Sequence, residues 1–144
     1  MQRVAFIGSR TFPAPDLVAR FVAKLPEGAV VVSGGARGVD TWAEEAAKVR
    51  GIETLIFHAD WDGLGRKAGP IRNEKIIANV DWVVAFWDGT SRGTLNAIYL
   101  ATRAGLPVEI FGMDGQKIDV AVALEAAEHL GVIASIKLGE ARSS

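Results

Sequence analysis

No cysteine occurs among the 144 residues, which excludes disulfides, thiolate catalysis and cysteine-ligated zinc. An excess of either charge is missing as well. With 16 Lys and Arg against 17 Asp and Glu the net charge is −1, so no global field draws the chain to nucleic acid or to an anionic membrane. Nucleic acid and membrane partners are therefore not expected. Long hydrophobic runs are absent: the first apolar run, Val4 to Ile7, is too short for a signal-peptide core or a spanning helix, and a cytoplasmic protein is the expectation. Histidine is confined to His58 and His129, far apart, which supports neither metal ligation nor a histidine-based dyad. There is no internal repeat, low-complexity tract or linker. The 49% hydrophobic and 23% charged content suits one globular domain, expected over residues 1–138 with a frayed tail over 139–144.

What is present is an alternation of strand-length apolar runs with helical stripes. Val4 to Ile7, Ala29 to Val32, Thr54 to Phe57, Trp82 to Trp87 and Pro107 to Phe111 read as strands. After Phe12-Pro13-Ala14-Pro15, which cannot be helical, Leu17, Val18, Phe21, Val22 and Leu25 share a helical stripe that Asp16 would cap. Val39, Trp42, Ala43, Ala46, Ala47 and Val49 recur at helical spacing up to Gly51, a C-terminal cap. Further helices are expected over Ile71 to Val80, with Pro70 at the first helical position, over Thr94 to Ala104 and over Ile118 to Leu130. His58 to Gly69, with three glycines, reads as a long loop, and residues 132–138 as a short edge strand. This order predicts an α/β, doubly wound domain with a mostly parallel sheet of five or more strands flanked by helices.

In such sheets ligands bind outside the carboxyl ends of the strands, where strand order reverses. Four segments fall at that edge. The richest is Ser33-Gly34-Gly35-Ala36-Arg37-Gly38-Val39-Asp40, whose glycines let the backbone approach a phosphate while Arg37 adds a bidentate charge; the same glycines also suit a plain strand-to-helix turn. Gly8-Ser9-Arg10, Gly69 to Asn73 and Asp88 to Thr94 are the other three. Arg37 and Arg72 lie near helix N-termini, where a cation is disfavoured unless an anion offsets it. Arg10 could reach the same anion or be a surface charge. Ser9 and Thr94 can donate to phosphate or serve as caps, and Asn73 is divided between amide recognition and capping. Asp40 suits the first turn of its helix and could also accept from ribose hydroxyls or Arg37. Trp61 can stack on a base, cover the pocket, or pack against the adjoining helix. Asp60 and Asp62 could hold Mg²⁺ on a diphosphate.

Together, Gly8-Ser9-Arg10, Ser33 to Asp40, Ala59-Asp60-Trp61, Ala68-Gly69-Pro70-Ile71-Arg72-Asn73 and Arg92-Gly93-Thr94 resemble the signature of the YspA/YpsA-related family of the SLOG superfamily. The resemblance runs from the first strand to about the fifth. It implies a Rossmann-like fold binding a nucleotide or nucleotide-derived ligand, such as an ADP-ribose-like molecule, with Gly8, Ser9, Arg10, Gly34, Gly35, Ala36, Arg37, Gly38, Asp40, Trp61, Gly69, Arg72, Asn73, Gly93 and Thr94 as site residues. It also implies self-association. The superfamily includes the LOG-type phosphoribohydrolases, which release base from nucleoside 5′-monophosphates, and the DNA-binding DprA/Smf proteins. Where the hydrolases resemble Pro-Gly-Gly-x-Gly-Thr-x-x-Glu, this chain has Ala97 in place of the glutamate, and alanine cannot act as acid or base. Hydrolysis would need another carboxylate, with Asp40, Asp60, Asp62 and Asp88 as candidates. A sensor or weak nucleotide-processing protein is the leading expectation.

Overall fold

The apolar runs at 4–7, 30–33 and 83–86 are buried along their whole length, as strands covered on both faces must be. The computed structural model describes residues 2–133. In chain order the elements are β1 (Arg3–Gly8), α1 (Pro15–Ala23), β2 (Val30–Ser33), α2 (Val39–Arg50), β3 (Glu53–Ile56), α3 (Trp61–Leu64), a 3-10 turn (Gly65–Lys67), α4 (Ala68–Ile77), β4 (Trp82–Phe86), α5 (Arg92–Arg103), β5 (Val108–Phe111), β6 (Lys117–Ile118) and α6 (Val120–His129). The sheet runs β3-β2-β1-β4-β5-β6, parallel except for the last pair. Strand order therefore reverses between β1 and β4, whose ends are in register at Gly8 and Phe86.

Period-two alternation divides the core. Val4, Phe6, Val31, Val84 and Phe86 face α1 and α2 through Val18, Val22, Ala43 and Ala47. Ala5, Ile7, Val32 and Val83 face α4 and α5 through Ile76, Ile77, Ala97 and Ala101. A third cluster joins α5 to α6 around Leu95, Ile98, Ala123 and Ala127. Phe86 lies at the centre of the first, with ring centroids 5.6 Å from Phe12, 5.8 Å from Phe111 and 6.4 Å from both Phe6 and Phe21.

Arg50 ties the first helix to the second. Its Nη1 donates to Val22 O at 2.8 Å and to Ala23 O and Leu25 O at 3.1 Å, pinning the carbonyls at and just past the end of α1. Arg50→Ala is expected to lower the unfolding free energy by about 1–2 kcal/mol in urea denaturation, the range for a hydrogen-bonded charged donor.

Five expectations need correction. Pro15 itself begins α1 and the N-cap is Ala14, so Asp16 acts within the first turn, where its charge complements the helix dipole, instead of capping. The presumed loop at 58–69 is mostly helical: Asp60 caps α3 by accepting from Gly63 N–H at 3.0 Å, and the 3-10 turn leads into α4. Pro70 is the third residue of α4, tolerated because first-turn N–H groups have no helical acceptor. Helix α5 starts at Arg92, two residues early, because Ser91 supplies the cap. Lys117–Ile118 pairs antiparallel with β5, so the last helix begins at Val120 and not at Ile118. Of the expected edge strand at 132–138, Val132 and Ile133 form a bend. The rest of it, and the expected frayed tail, lie outside the described residues.

Candidate functional site

The loops and helix starts that leave β1, β2 and β4 enclose a cleft of about 720 Å³ at the reversal of strand order. Its glycine-rich wall is satisfied from within. Asp40 Oδ2 accepts the N–H groups of Gly34 at 3.0 Å and Ala36 at 3.2 Å, while Thr41 Oγ1 donates to Ala36 O at 2.8 Å. Beneath it Ser33 Oγ donates to Glu44 and accepts from Gly35 N–H at 3.3 Å. Two of the amides expected to cradle a phosphate thus hold the chain's own carboxylate. Burial pushes the Asp40 carboxyl up to about 6, against the opposing effects of the Ala36 amide, the Arg72 charge and the Gly34 amide.

Glycine permits close approach here, against backbone at Gly8 and Gly38 and against a side chain at Gly34. A Cβ on Gly34 would overlap the Arg72 guanidinium, with its carbon only 2.7 Å away, and one on Gly8 would lie 2.8 Å from Phe86 O. Gly38 has φ 76° and would put a Cβ 2.6 Å from Arg10 O and 2.8 Å from Ser9 O, so the end of β1 rests on the start of α2.

The opposite wall is a row of hydrogen bonds. Arg72 Nη1 donates to Gly34 O at 2.8 Å and its Nε to Asn73 Oδ1 at 3.0 Å. Asn73 Nδ2 donates to Gly93 O at 3.3 Å and Asn96 Oδ1 at 2.9 Å, joining α4 to α5. Burial lowers the Arg72 pKa, with Asp40 opposing and Arg10 adding to the shift. Between the walls, Ser9 Oγ accepts from Asp88 N–H at 3.2 Å, and Asp88 Oδ1 accepts from the N–H groups of Thr90 at 2.9 Å and Ser91 at 2.8 Å. Burial disfavours the Asp88 anion, but these amides and the Ser9 and Thr90 hydroxyls outweigh it and hold the carboxyl below its usual range.

The cleft gathers most of the residues expected from the sequence: Gly8, Ser9, Arg10, Gly34, Ala36, Asp40, Trp61, Gly69, Arg72, Asn73, Gly93 and Thr94. Ser9, Asn73 and Thr94 are almost fully buried and bonded within the chain, Thr94 to Ser91 Oγ at 2.9 Å, so they position the walls. Trp61 is 50% exposed, and its ring edge lies 3.3 Å from where a Gly69 Cβ would be. Gly35, Arg37 and Gly38 are not on the cleft surface; Arg37 is exposed, and Gly35 abuts the His58 ring. Asp60 and Asp62 are exposed and are not among the residues that line the cleft. No group of three metal-ligating side chains occurs among the described residues. Ala97 is fully buried in the core below.

Sequence reasoning did not single out Thr11, Arg66 and Asn96, which also line the cleft, as does Arg92 of the Arg92-Gly93-Thr94 stretch. Asn96 had a signal, because Gly93 and Asn96 are three apart and share a face of α5. Arg92 Nη1 donates to Leu130 O, drawing the end of α6 to the cleft. Four arginines, Arg10, Arg66, Arg72 and Arg92, and two aspartates, Asp40 and Asp88, line the cleft, a local surplus of positive charge. The chain as a whole has no such surplus.

The Gene 61 protein of Mycobacterium phage D29 is 38% identical over 122 residues, 78% of this chain and 98% of that protein. The model of the YspA, cpYpsA-related SLOG family matches residues 2–63. The chain belongs to this family. Two solved structures share the fold of this SLOG chain. DNA processing protein A from Streptococcus pneumoniae superposes with a TM-score of 0.67 at 23% identity, over 90% of this chain and 56% of that one. DNA processing protein A from Helicobacter pylori, whose structure addresses its single-stranded DNA binding mode, gives a TM-score of 0.60 at 26% identity, over 94% and 75%. The SLOG match reaches from β1 into α3, so it includes the glycine-rich wall. Among the described residues no helix is long and apolar enough to cross a membrane.

Proposed function

We propose that this SLOG domain binds a nucleotide or nucleotide-derived anion, a nucleoside phosphate or an ADP-ribose-like molecule, as a sensor or a slow nucleotide-processing protein. The observation that carries this reading is the local surplus of positive charge, four arginines against two aspartates, in a cleft at the reversal of strand order. Because Asp40 fills the glycine-rich loop, the phosphate belongs nearer the first turn of α5, where the Arg92 and Gly93 N–H groups have no helical acceptor. The exposed face of Trp61 offers a base a stacking surface.

Calorimetry against AMP, ADP-ribose and NAD tests it, with binding below millimolar expected. Arg66→Ala removes a cation that makes no hydrogen bond among the described residues, and should weaken AMP binding about 5- to 10-fold, the loss of roughly one charge-assisted hydrogen bond. Should no nucleotide bind, the reading fails. Hydrolysis remains a variant of it, with Asp40 and Asp88 the carboxyls in the cleft. Free base and ribose 5-phosphate from a 5′-nucleotide would be its sign.

A second reading seats single-stranded DNA in the same cleft. It is favoured by the likeness to the Helicobacter pylori protein, and the local positive surplus answers in part the objection drawn from net charge. A salt-dependent shift of a labelled oligonucleotide, competed by AMP, would support it.

A further inference from the structure

The hydrogen-bond row that ends at Asn96 gives the cleft a direction. Arg72 can only donate, so the Asn73 oxygen facing its Nε is fixed as Oδ1, at 3.0 Å. The other side of Asn73 meets the Gly93 carbonyl, which can only accept, and this fixes Nδ2 independently. Turning the Asn73 amide over would set donor against donor and oxygen against oxygen in a side chain only 6% exposed. The constraint passes on to Asn96: its Oδ1 is held by Asn73 Nδ2 at 2.9 Å. Its Nδ2 has no partner among the described residues and is not among their buried unbonded atoms, so solvent reaches it where Asn96 lines the cleft. That amide lies three residues along α5 from Gly93, on the same face.

We propose that Asn96 determines specificity, turning its amide donors to the bound molecule while its oxygen faces Asn73, so that the position beside it favours an acceptor oxygen, such as a phosphoryl oxygen, over an ammonium or amine. The assignment rests on the nucleotide reading of the cleft and names the group of the ligand that Asn96 reads. Arg72 and Asn73 act through it as positioning residues.

The test is Asn96→Asp, which preserves shape and the oxygen that Asn73 needs while replacing the donor with a charged acceptor. By calorimetry at neutral pH, AMP should bind Asn96→Asp at least about tenfold more weakly than wild type, whereas Asn96→Ala, which removes the donor without adding charge, should lose about threefold. The thermal midpoint of Asn96→Asp should stay close to wild type, whereas that of Asn96→Ala should fall, because Asn73 Nδ2 loses its acceptor. AMP binding to Asn96→Asp within twofold of wild type overturns the assignment and leaves the nucleotide reading standing. Failure of wild type to bind any nucleotide overturns both. Nitrogen-15 spectra of the unliganded wild-type protein give a readout that needs no variant: the Asn73 amide protons should be protected from exchange and those of Asn96 open to water. The reverse pattern overturns the assignment.

Discussion

Phe86→Ala is expected to lower the unfolding free energy by about 3–5 kcal/mol, the range for truncating a fully buried aromatic side chain. Four phenylalanine rings from β1, the segment after it, α1 and β5 converge on this one, and none of them can close the void without leaving another contact. Equilibrium denaturation in guanidinium measures the loss, and a value under about 1.5 kcal/mol would show that the core collapses around the site. Phe86→Leu keeps most of the volume and should cost far less. The backbone of Phe86 should hold its place in either variant, because its carbonyl accepts the Ser9 N–H at 3.2 Å. Loss of stability and loss of ligand affinity should therefore separate.

The second large effect is a pH dependence. The Asp40 carboxyl rises from an ordinary 3.8 to about 6 in the folded chain, chiefly through burial. Between these values the folded state holds a proton that the unfolded state has released, so stability falls as pH rises through that window. The contribution is fully present below pH 3.8 and is lost above about 6; a difference of about two units corresponds to about 3 kcal/mol. Asp40→Asn stays neutral and keeps an oxygen for the Gly34 and Ala36 amides. Its unfolding free energy minus that of wild type should therefore increase by about 2–2.5 kcal/mol from pH 4 to pH 7, since part of the change already lies below pH 4. A difference that stays flat over that range would mean that Asp40 titrates normally.

The parallel strands were legible because a buried strand needs an unbroken apolar run, and β1, β2 and β4 each have one. The stretch at 58–69 was not, because glycine at 63 and 65 masks two short turns whose start, the Asp60 cap, is a local signal that the glycines outweighed. Two-residue β6 has too few positions to show a period. For the site, residue types concentrated at the strand ends pointed to the right edge of the sheet. What could not be read were partnerships across the chain: Arg72 with Gly34, 38 residues apart, and Asn73 with Asn96, 23 apart. The glycine-rich stretch suits both a phosphate cradle and a plain turn, because spacing shows where amides can converge, not that a carboxylate six residues on already meets them.

That internal bond also bears on the entropic cost at which a ligand can dock. A phosphate loop that is slack when empty must be immobilised as its anion arrives, at a cost of about 1–2 kcal/mol for every residue whose backbone is fixed. Here Asp40 has tied down 34–36 in advance. For a nucleotide seated as proposed, at the first turn of α5, the neighbouring glycine-rich wall then needs no ordering, and what remains to be fixed includes the arginine side chains of the cleft.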